Sequence, residues 1–253
     1  MSHPTGGALA HLRVVDFSKF LPGPYCSWML ADLGAQVIRI ENPRELAKQA
    51  RVFGWDRLTV KQRAKLRAND VFARNKRSML IDPGVPEAHQ IIIDLIRNAD
   101  VLLEDYRPGV LASMGFGYEE MAVVNPRLVY CSVTLCGQIG PYRSKPGHDP
   151  IALALSGALS RMGDREERPS FAGVPVADLL TGSNAVIGIL AALQARVVTG
   201  KGQHVDIAMS DSAMTLIAST MARNADLSRL QPRGDGRVDC GLWRTKDGRY
   251  LCT

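Results

Sequence analysis

The sequence predicts an α/β protein, a parallel sheet laid down strand by strand with crossover helices between the strands. Three observations carry that reading. Short runs rich in Val, Ile and Leu recur along the chain, each the size of a buried strand. Segments of helical spacing separate them, as parallel pairing requires. Proline and glycine mark the joints, and Gly34 closes the first helical segment as a C-cap.

Taken in order, LRVVDF (12–17) is the first strand and LPGP (21–24) the turn after it. Residues 25–33 have helical spacing with Trp28, Met29 and Leu33 on one side, and QVIRIE (36–41) is the second strand. Further strands are predicted at 78–82, 100–105, 128–134 and 204–209. Helices are predicted at 86–99, with Ile91, Ile92, Leu95 and Ile96 buried, at 118–124, 151–162 and 176–199, and as one long final helix at 210–227. Glycine and proline dominate GQIGPYRSKPGHD (137–149), a long surface loop of the kind that carries function. Residues 229–239 read as a linker, which divides the chain into a large domain (1–228) and the start of a small α+β domain (229–253). There is no internal repeat and no low-complexity tract.

Composition narrows the function. With 253 residues and 46% hydrophobic content, the chain can bury a full core without a metal or disulfide staple. Its five cysteines (Cys26, Cys131, Cys136, Cys240, Cys252) include no CxxC pair. That excludes zinc-ribbon, thioredoxin-like and disulfide-scaffold readings, leaves no metal site to expect, and favours a reducing compartment. The first residues show no apolar signal region and no apolar run nears ~18 residues, so a cytoplasmic protein without a membrane partner is expected. Net charge is +6, with bases crowded between Arg44 and Arg77. Aromatic residues, at 6%, are too scarce for stacking bases, so a phosphate-rich small molecule suits the charge better than nucleic acid. A solvated helical face is the plain alternative.

A dinucleotide site is the first guess for such a sheet, but the first strand is followed by SKFLPGP (18–24) and not by G-x-G-x-x-G. Pro22 also removes an N–H that would cradle a pyrophosphate, so NAD is not expected. Catalytic candidates lie in 147–184. His148 stands at a loop-to-helix junction where an exposed imidazole can reach a ligand, with Asp149 beside it as an ordinary cap. Pro175 suits a first helical position, which puts Asp178 in the first turn, where the helix dipole stabilises an ionised carboxylate. The small residues Thr181, Gly182 and Ser183 follow and would let a bulky ligand come close.

These residues carry a resemblance. The segments 12–43, 74–82, 99–116, 146–163, 173–212 and 243–251 together resemble the class III coenzyme A transferase family, which includes formyl-CoA transferase, carnitine CoA-transferase and the 2-methylacyl-CoA racemases. The resemblance implies a large Rossmann-like CoA-binding domain leading into a small domain. It also implies an interlaced homodimer, with acyl-CoA and carboxylic acids as small-molecule partners. CoA is expected against residues matching Phe20, Leu21, Pro22, Arg39, Ala73, Arg74, Asp105 and Tyr106. In transferases the acid matching Asp178 attacks the acyl-CoA thioester and passes through an aspartyl-CoA thioester. In racemases the residues matching His148 and Asp178 exchange the α-proton on opposite faces. GVPVADLLTG (173–182) resembles the transferase version and PGHDPIALALSG (146–157) the racemase version. The acid's neighbourhood lies nearer the chemistry, so CoA transfer is expected, with racemisation as the alternative. Two departures stand out: Ser113 replaces an arginine of the relatives, and the chain stops at Thr253, early in the small domain. An inactive CoA-binding fragment is therefore the second alternative, and a basic nucleic-acid binder a distant third.

Overall fold

The computed structural model describes residues 6–162, 170–223 and 242–252. Six strands form one parallel sheet: β1 (Arg13–Asp16), β2 (Gln36–Glu41), β3 (Lys76–Leu80), β4 (Val101–Glu104), β5 (Val129–Thr134) and β6 (His204–Ala208). Their order across the sheet is β3-β2-β1-β4-β5-β6. Val14 pairs with Val37 of β2 on one side and with Val101 of β4 on the other. The connections therefore reverse direction between β1 and β4, and in open α/β sheets ligands bind at the carboxyl ends of the strands at such a point.

The helices are α1 (Pro22–Asp32), α2 (Pro43–Val52), α3 (Val60–Ala68), α4 (Pro86–Arg97), α5 (Val110–Ser113), α6 (Tyr118–Val124), α7 (Asp149–Leu155), α8 (Val176–Thr199), α9 (Met209–Met214) and α10 (Ala218–Arg223). Strand alternation sends Val14, Val37, Leu103, Cys131 and Val133 to the face covered by α1 and α8. Val15, Ile40, Leu102 and Tyr130 face Ile92 and Ile96 of α4 and Met121 of α6. A third cluster, with Leu153, Ala177, Met209 and Ala213, joins α7, α8 and α9. The length and hydropathy of α8 would suit a membrane span, but Ala185, Val186, Ile189, Ala192 and Leu193 bury one side of it against the sheet. β7 (Leu242–Arg244) and β8 (Tyr250–Cys252) form a separate antiparallel hairpin.

Several expectations need correction. Beyond its first turn, α1 buries Cys26, Ser27, Leu30 and Ala31, not the set containing Leu33, which is 42% exposed. Packed on the sheet beside α8, α1 turns that side inward, and Trp28 goes to Tyr25, Phe72 and Arg74 instead. Ile91 is half-exposed because the phase of α4 directs Ile92 and Ile96 at the sheet. The helix expected at 151–162 begins earlier, at Asp149, because Pro150 suits a first turn. It ends at Leu155, since Gly157 adopts φ +81° and starts a separate 3₁₀ turn. The long final helix is broken. Thr215 Oγ1 donates to the Ser212 carbonyl at 2.7 Å, and a 3₁₀ turn at Thr215–Ile217 separates α9 from α10. The predicted linker and the boundary at 228/229 lie outside the described residues. The basic stretch forms α2 and α3, neither of which has a buried residue.

Candidate active site at the carboxyl edge of the sheet

The chain leaves β1 in a turn held from below by two carboxylates. Asp16 is fully buried, and its Oδ1 accepts the Ser18 N–H at 2.9 Å. Asp105, just after β4, accepts the N–H groups of Lys19 and Phe20 on Oδ2, at 2.8 and 2.7 Å. Its Oδ1 is buried with no hydrogen-bond partner. Burial pushes the Asp105 carboxyl up to about 7, although the backbone donors of Phe20 and Lys19 pull it down. The turn then folds back so tightly that a Cβ on Gly23 would lie 2.2 Å from Ser18 Cβ. Lys19 Nζ sits 3.6 Å above the centre of the Tyr106 ring and 3.6 Å from Glu45. At the end of β2, Arg39 lies between Glu41 (3.5 Å) and Asp70 (4.0 Å). A small cleft lined by Ser18, Lys19, Arg39, Glu45 and Tyr106 opens here.

Across from this turn, α7 and α8 begin together. Asp149, the first residue of α7, does not cap its own helix. Its Oδ1 accepts the N–H groups of Ala177 and Asp178 at the start of α8, at 2.6 and 3.1 Å. Asp178 lies in the first turn of α8, with Pro175 one place ahead of the first helical residue. Since Asp149 already occupies the helix N-terminus, Asp178 gains little from the dipole. Its carboxyl is pushed up to about 7, first by burial and then by the Asp149 charge. One turn further along the same face, Gly182 lets α8 touch α1: a Cβ there would lie 2.6 Å from the Pro22 carbonyl oxygen and 2.7 Å from Tyr25. His148 is exposed and meets Phe20 edge-on, with ring centroids 5.4 Å apart.

Of the residues picked out from the sequence, Phe20, Leu21, Pro22, Asp105 and Tyr106 meet at the β1/β4 junction, with Arg39 one strand away. His148 joins them through Phe20, and Asp178 through the contact of α8 with Pro22. Ala73 and Arg74 are placed elsewhere. They immediately precede β3, at the amino edge of the sheet, where Arg74 forms an ion pair with Asp32 and lies 4.9 Å from the Trp28 ring. Ser113 is exposed and donates to the Val110 carbonyl. Sequence reading missed Lys19, the capping of α8 by Asp149, and Lys76, which reaches Asp16. Only the first carried a local signal, a cation in the turn after β1. The other two depend on elements far apart in sequence.

The strand order and the carboxyl edge define a Rossmann-type α/β protein, with the part-buried Asp178 on a helix that packs against the β1/β4 junction. Residues 9–253 match the family described as CoA-transferase family III, and the chain belongs to that family. It is 39% identical over 213 residues to succinate–glutarate CoA-transferase of Agrobacterium fabrum, covering 83% of this chain and 53% of that one. It is 33% identical over 247 residues to succinyl-CoA:glutarate CoA-transferase of Mus musculus, covering 96% and 55%. Among solved structures, it resembles a CAIB/BAIF family protein from Brucella suis, with TM-score 0.80 and 30% identity over 94% of this chain and 64% of that one. A hypothetical protein from Mycobacterium tuberculosis gives TM-score 0.76 at 29% identity, covering 95% and 63%. The chain spans about half the length of the curated relatives it matches.

Proposed function

We propose that this chain binds the CoA portion and supplies the nucleophile of an acyl-CoA:carboxylate CoA-transferase, with Asp178 as that nucleophile. The observation that carries the reading is the Asp178 carboxyl itself. It is part-buried, denied the helix N-terminus by Asp149, and raised to about 7. A carboxylate that is poorly stabilised as an anion is a stronger nucleophile, while at neutral pH enough of it stays ionised to react.

In this reading the acyl-CoA lies over the turn Phe20–Leu21–Pro22, against Tyr106, with Lys19 and Arg39 available to its phosphates. Asp105 acts from beneath by holding the turn. An Asp178 oxygen attacks the thioester carbonyl, the C–S bond breaks, and CoA leaves as its thiolate, giving a mixed anhydride. The thiolate then attacks the aspartyl carbonyl of the anhydride and expels the donor acid, leaving an aspartyl-CoA thioester. The acceptor carboxylate attacks that thioester and releases the thiolate. The thiolate closes the cycle on the acceptor's acyl carbon and frees Asp178. No net proton is consumed, which suits a site with one acid and no obligatory partner base. The reading extends to a cytoplasmic homodimer, with the small domain starting near residue 229 and completing the acyl side of the site.

The test is mass spectrometry of a panel of acyl-CoA esters incubated with the protein and mixed free carboxylic acids in D₂O. New acyl-CoA species without deuterium at the α-carbon are expected. Deuterium at the α-carbon without new thioesters would replace this reading with racemisation by His148 and Asp178. Neither product would leave a CoA-binding fragment.

A further inference from the structure

Beneath the turn lies a buried polar cluster that nothing in the proposed chemistry uses. Lys76, the first residue of β3, sits two strands away from β1, yet its side chain is only 2% exposed and that of Asp16 is 0% exposed. Lys76 Nζ donates to the Pro24 carbonyl at 2.9 Å and to Ser27 Oγ at 2.6 Å, and it stands 3.6 Å from Asp16 Oδ2. The ammonium thus has two hydrogen-bond acceptors and one ion-pair partner. Ser27 Oγ in turn donates to Asp16 Oδ2 at 2.5 Å, while Asp16 Oδ1 takes both the N–H and the hydroxyl of Ser18. Every partner lies on one side or the other of Lys19–Pro22: Ser18 before it, Pro24 and Ser27 after it. The two ends of the turn are tied to one ammonium–carboxylate pair, and its middle is tied to Asp105.

Such a pair is a poor device for stability alone. Desolvating both charges offsets most of their attraction, and apolar replacements of similar size often serve the fold as well. What a connected polar cluster does supply is a single geometry, because each member satisfies the others only in one arrangement. The van der Waals clearance at Gly23 gives the same message, since the turn is closed on Ser18 with no room for a methyl group.

We propose that Lys76 and Asp16 are positioning residues that fix the Lys19–Pro22 turn in its ligand-accepting shape, so that Phe20 and the backbone of Leu21 and Pro22 meet CoA without prior ordering. This deepens the proposed function and rests on its placement of CoA at the turn. Preorganisation of this kind acts on affinity, because a loose turn must be ordered when the ligand arrives.

The experiment combines amide hydrogen exchange with CoA calorimetry on the whole chain. Lys76→Met leaves Asp16 buried without its partner and risks unfolding, so the double variant Asp16→Asn, Lys76→Met, which removes both charges, is measured beside it. The proposal expects exchange in peptides covering 17–25 to speed up about tenfold in the double variant, with β5 unchanged. It also expects CoA affinity to fall about tenfold at unchanged stoichiometry. Unchanged exchange in the turn would overturn it. So would an equal acceleration in β5, which marks a general loss of stability. A loosened turn with undiminished CoA affinity would also overturn it. If the unaltered chain binds no CoA, the transferase reading falls, and the exchange result alone decides whether the pair shapes the turn.

Discussion

Two regions at the carboxyl edge of the sheet handle buried acids in opposite ways. In the turn after β1, Asp16 is surrounded by donors, with the Ser18 N–H, two hydroxyls and the Lys76 ammonium all directed at it. At the junction of α7 and α8, Asp178 faces another carboxylate, and the N–H groups that would have stabilised it already belong to Asp149. The first arrangement surrounds a carboxylate with donors and fixes a shape. The second keeps an ion at raised energy and preserves its reactivity. Burial does not distinguish the two, since Asp16 is the more buried. A raised carboxyl alone does not either, since Asp105 beneath the turn is also raised to about 7. What sets Asp178 apart is a second carboxylate beside it, where Asp16 and Asp105 have donors. Carboxylates raised by burial with a like charge beside them, as Asp178 is, are where catalytic acids are to be sought.

The largest effect should come from removing the reactive group. Asp178→Asn keeps the shape of the side chain and loses the nucleophile, so CoA transfer should fall by at least about 10³-fold. CoA binding, measured by calorimetry, should stay within about twofold. Transfer that survives the substitution would move the chemistry elsewhere and dissolve the contrast between the two regions.

Next in size is a change that disturbs both regions together. Gly182→Ala would push a methyl group to 2.6 Å from the Pro22 carbonyl oxygen, forcing α8 away from the turn. A backbone atom cannot step aside cheaply, and overpacking of this kind costs about 1–3 kcal/mol. Thermal denaturation should show the loss. CoA affinity should fall with it, because the displaced helix carries Asp178 and abuts the turn. A stable variant with intact affinity would mean that the two regions are independent.

The parts of this site that were legible in the sequence are those set by near neighbours. The strand ends at Asp105 and Tyr106 and the first-turn position of Asp178 follow from local pattern. LPGP, expected as a turn before a helix at 25–33, instead supplies the cap and the first residues of α1, because proline suits a first helical turn. Parallel strands alternating with helices made the sheet readable too. What escaped were helix phases and breaks, the exposed helices α2 and α3, the short α5, and the start of β3, which lies two residues before the expected 78. Leu33, Ile91 and the kink at Thr215 are decided by what each helix packs against, which periodicity does not record. Arg74 stands apart from the other picked residues for the same kind of reason. A cation in a basic run suits phosphate, but the register of β3 on β2 sends residues before Lys76 to the amino edge, and Asp32 waits there. The link from Asp149 to α8 joins residues 28 apart in sequence, so no local rule would have found it.

Asp149 offers a smaller and more selective change. Asp149→Asn retains an oxygen to accept the Ala177 and Asp178 N–H groups while removing the charge. Burial is the larger cause of the raised Asp178 carboxyl and the Asp149 charge the smaller, so the value should descend only part of the way. The acidic limb of the pH–rate profile for transfer, expected near pH 7, should move to lower pH by about one unit. A limb that does not move would show that burial alone sets Asp178.

The smallest effect concerns stability, and its sign follows from the same acid. Asp178 has a folded value of about 7 against an ordinary value of 3.8. Below about pH 4 the group is protonated whether the chain is folded or not, and it leaves stability unchanged. Between about pH 4 and pH 7 the unfolded chain ionises first, so the folded state loses ground as pH rises, and above about pH 7 that loss is complete. Asp178→Asn lifts this penalty. The carboxyl keeps some contact with solvent, and screening reduces the expected gain to about 1 kcal/mol. Denaturation of the two proteins across this range should therefore give matching midpoints near pH 4 and a widening advantage for the variant up to a plateau beyond pH 7. The variant that abolishes transfer should be the more stable protein at neutral pH. A difference that ignores pH would mean that the Asp178 carboxylate carries no such penalty in the fold.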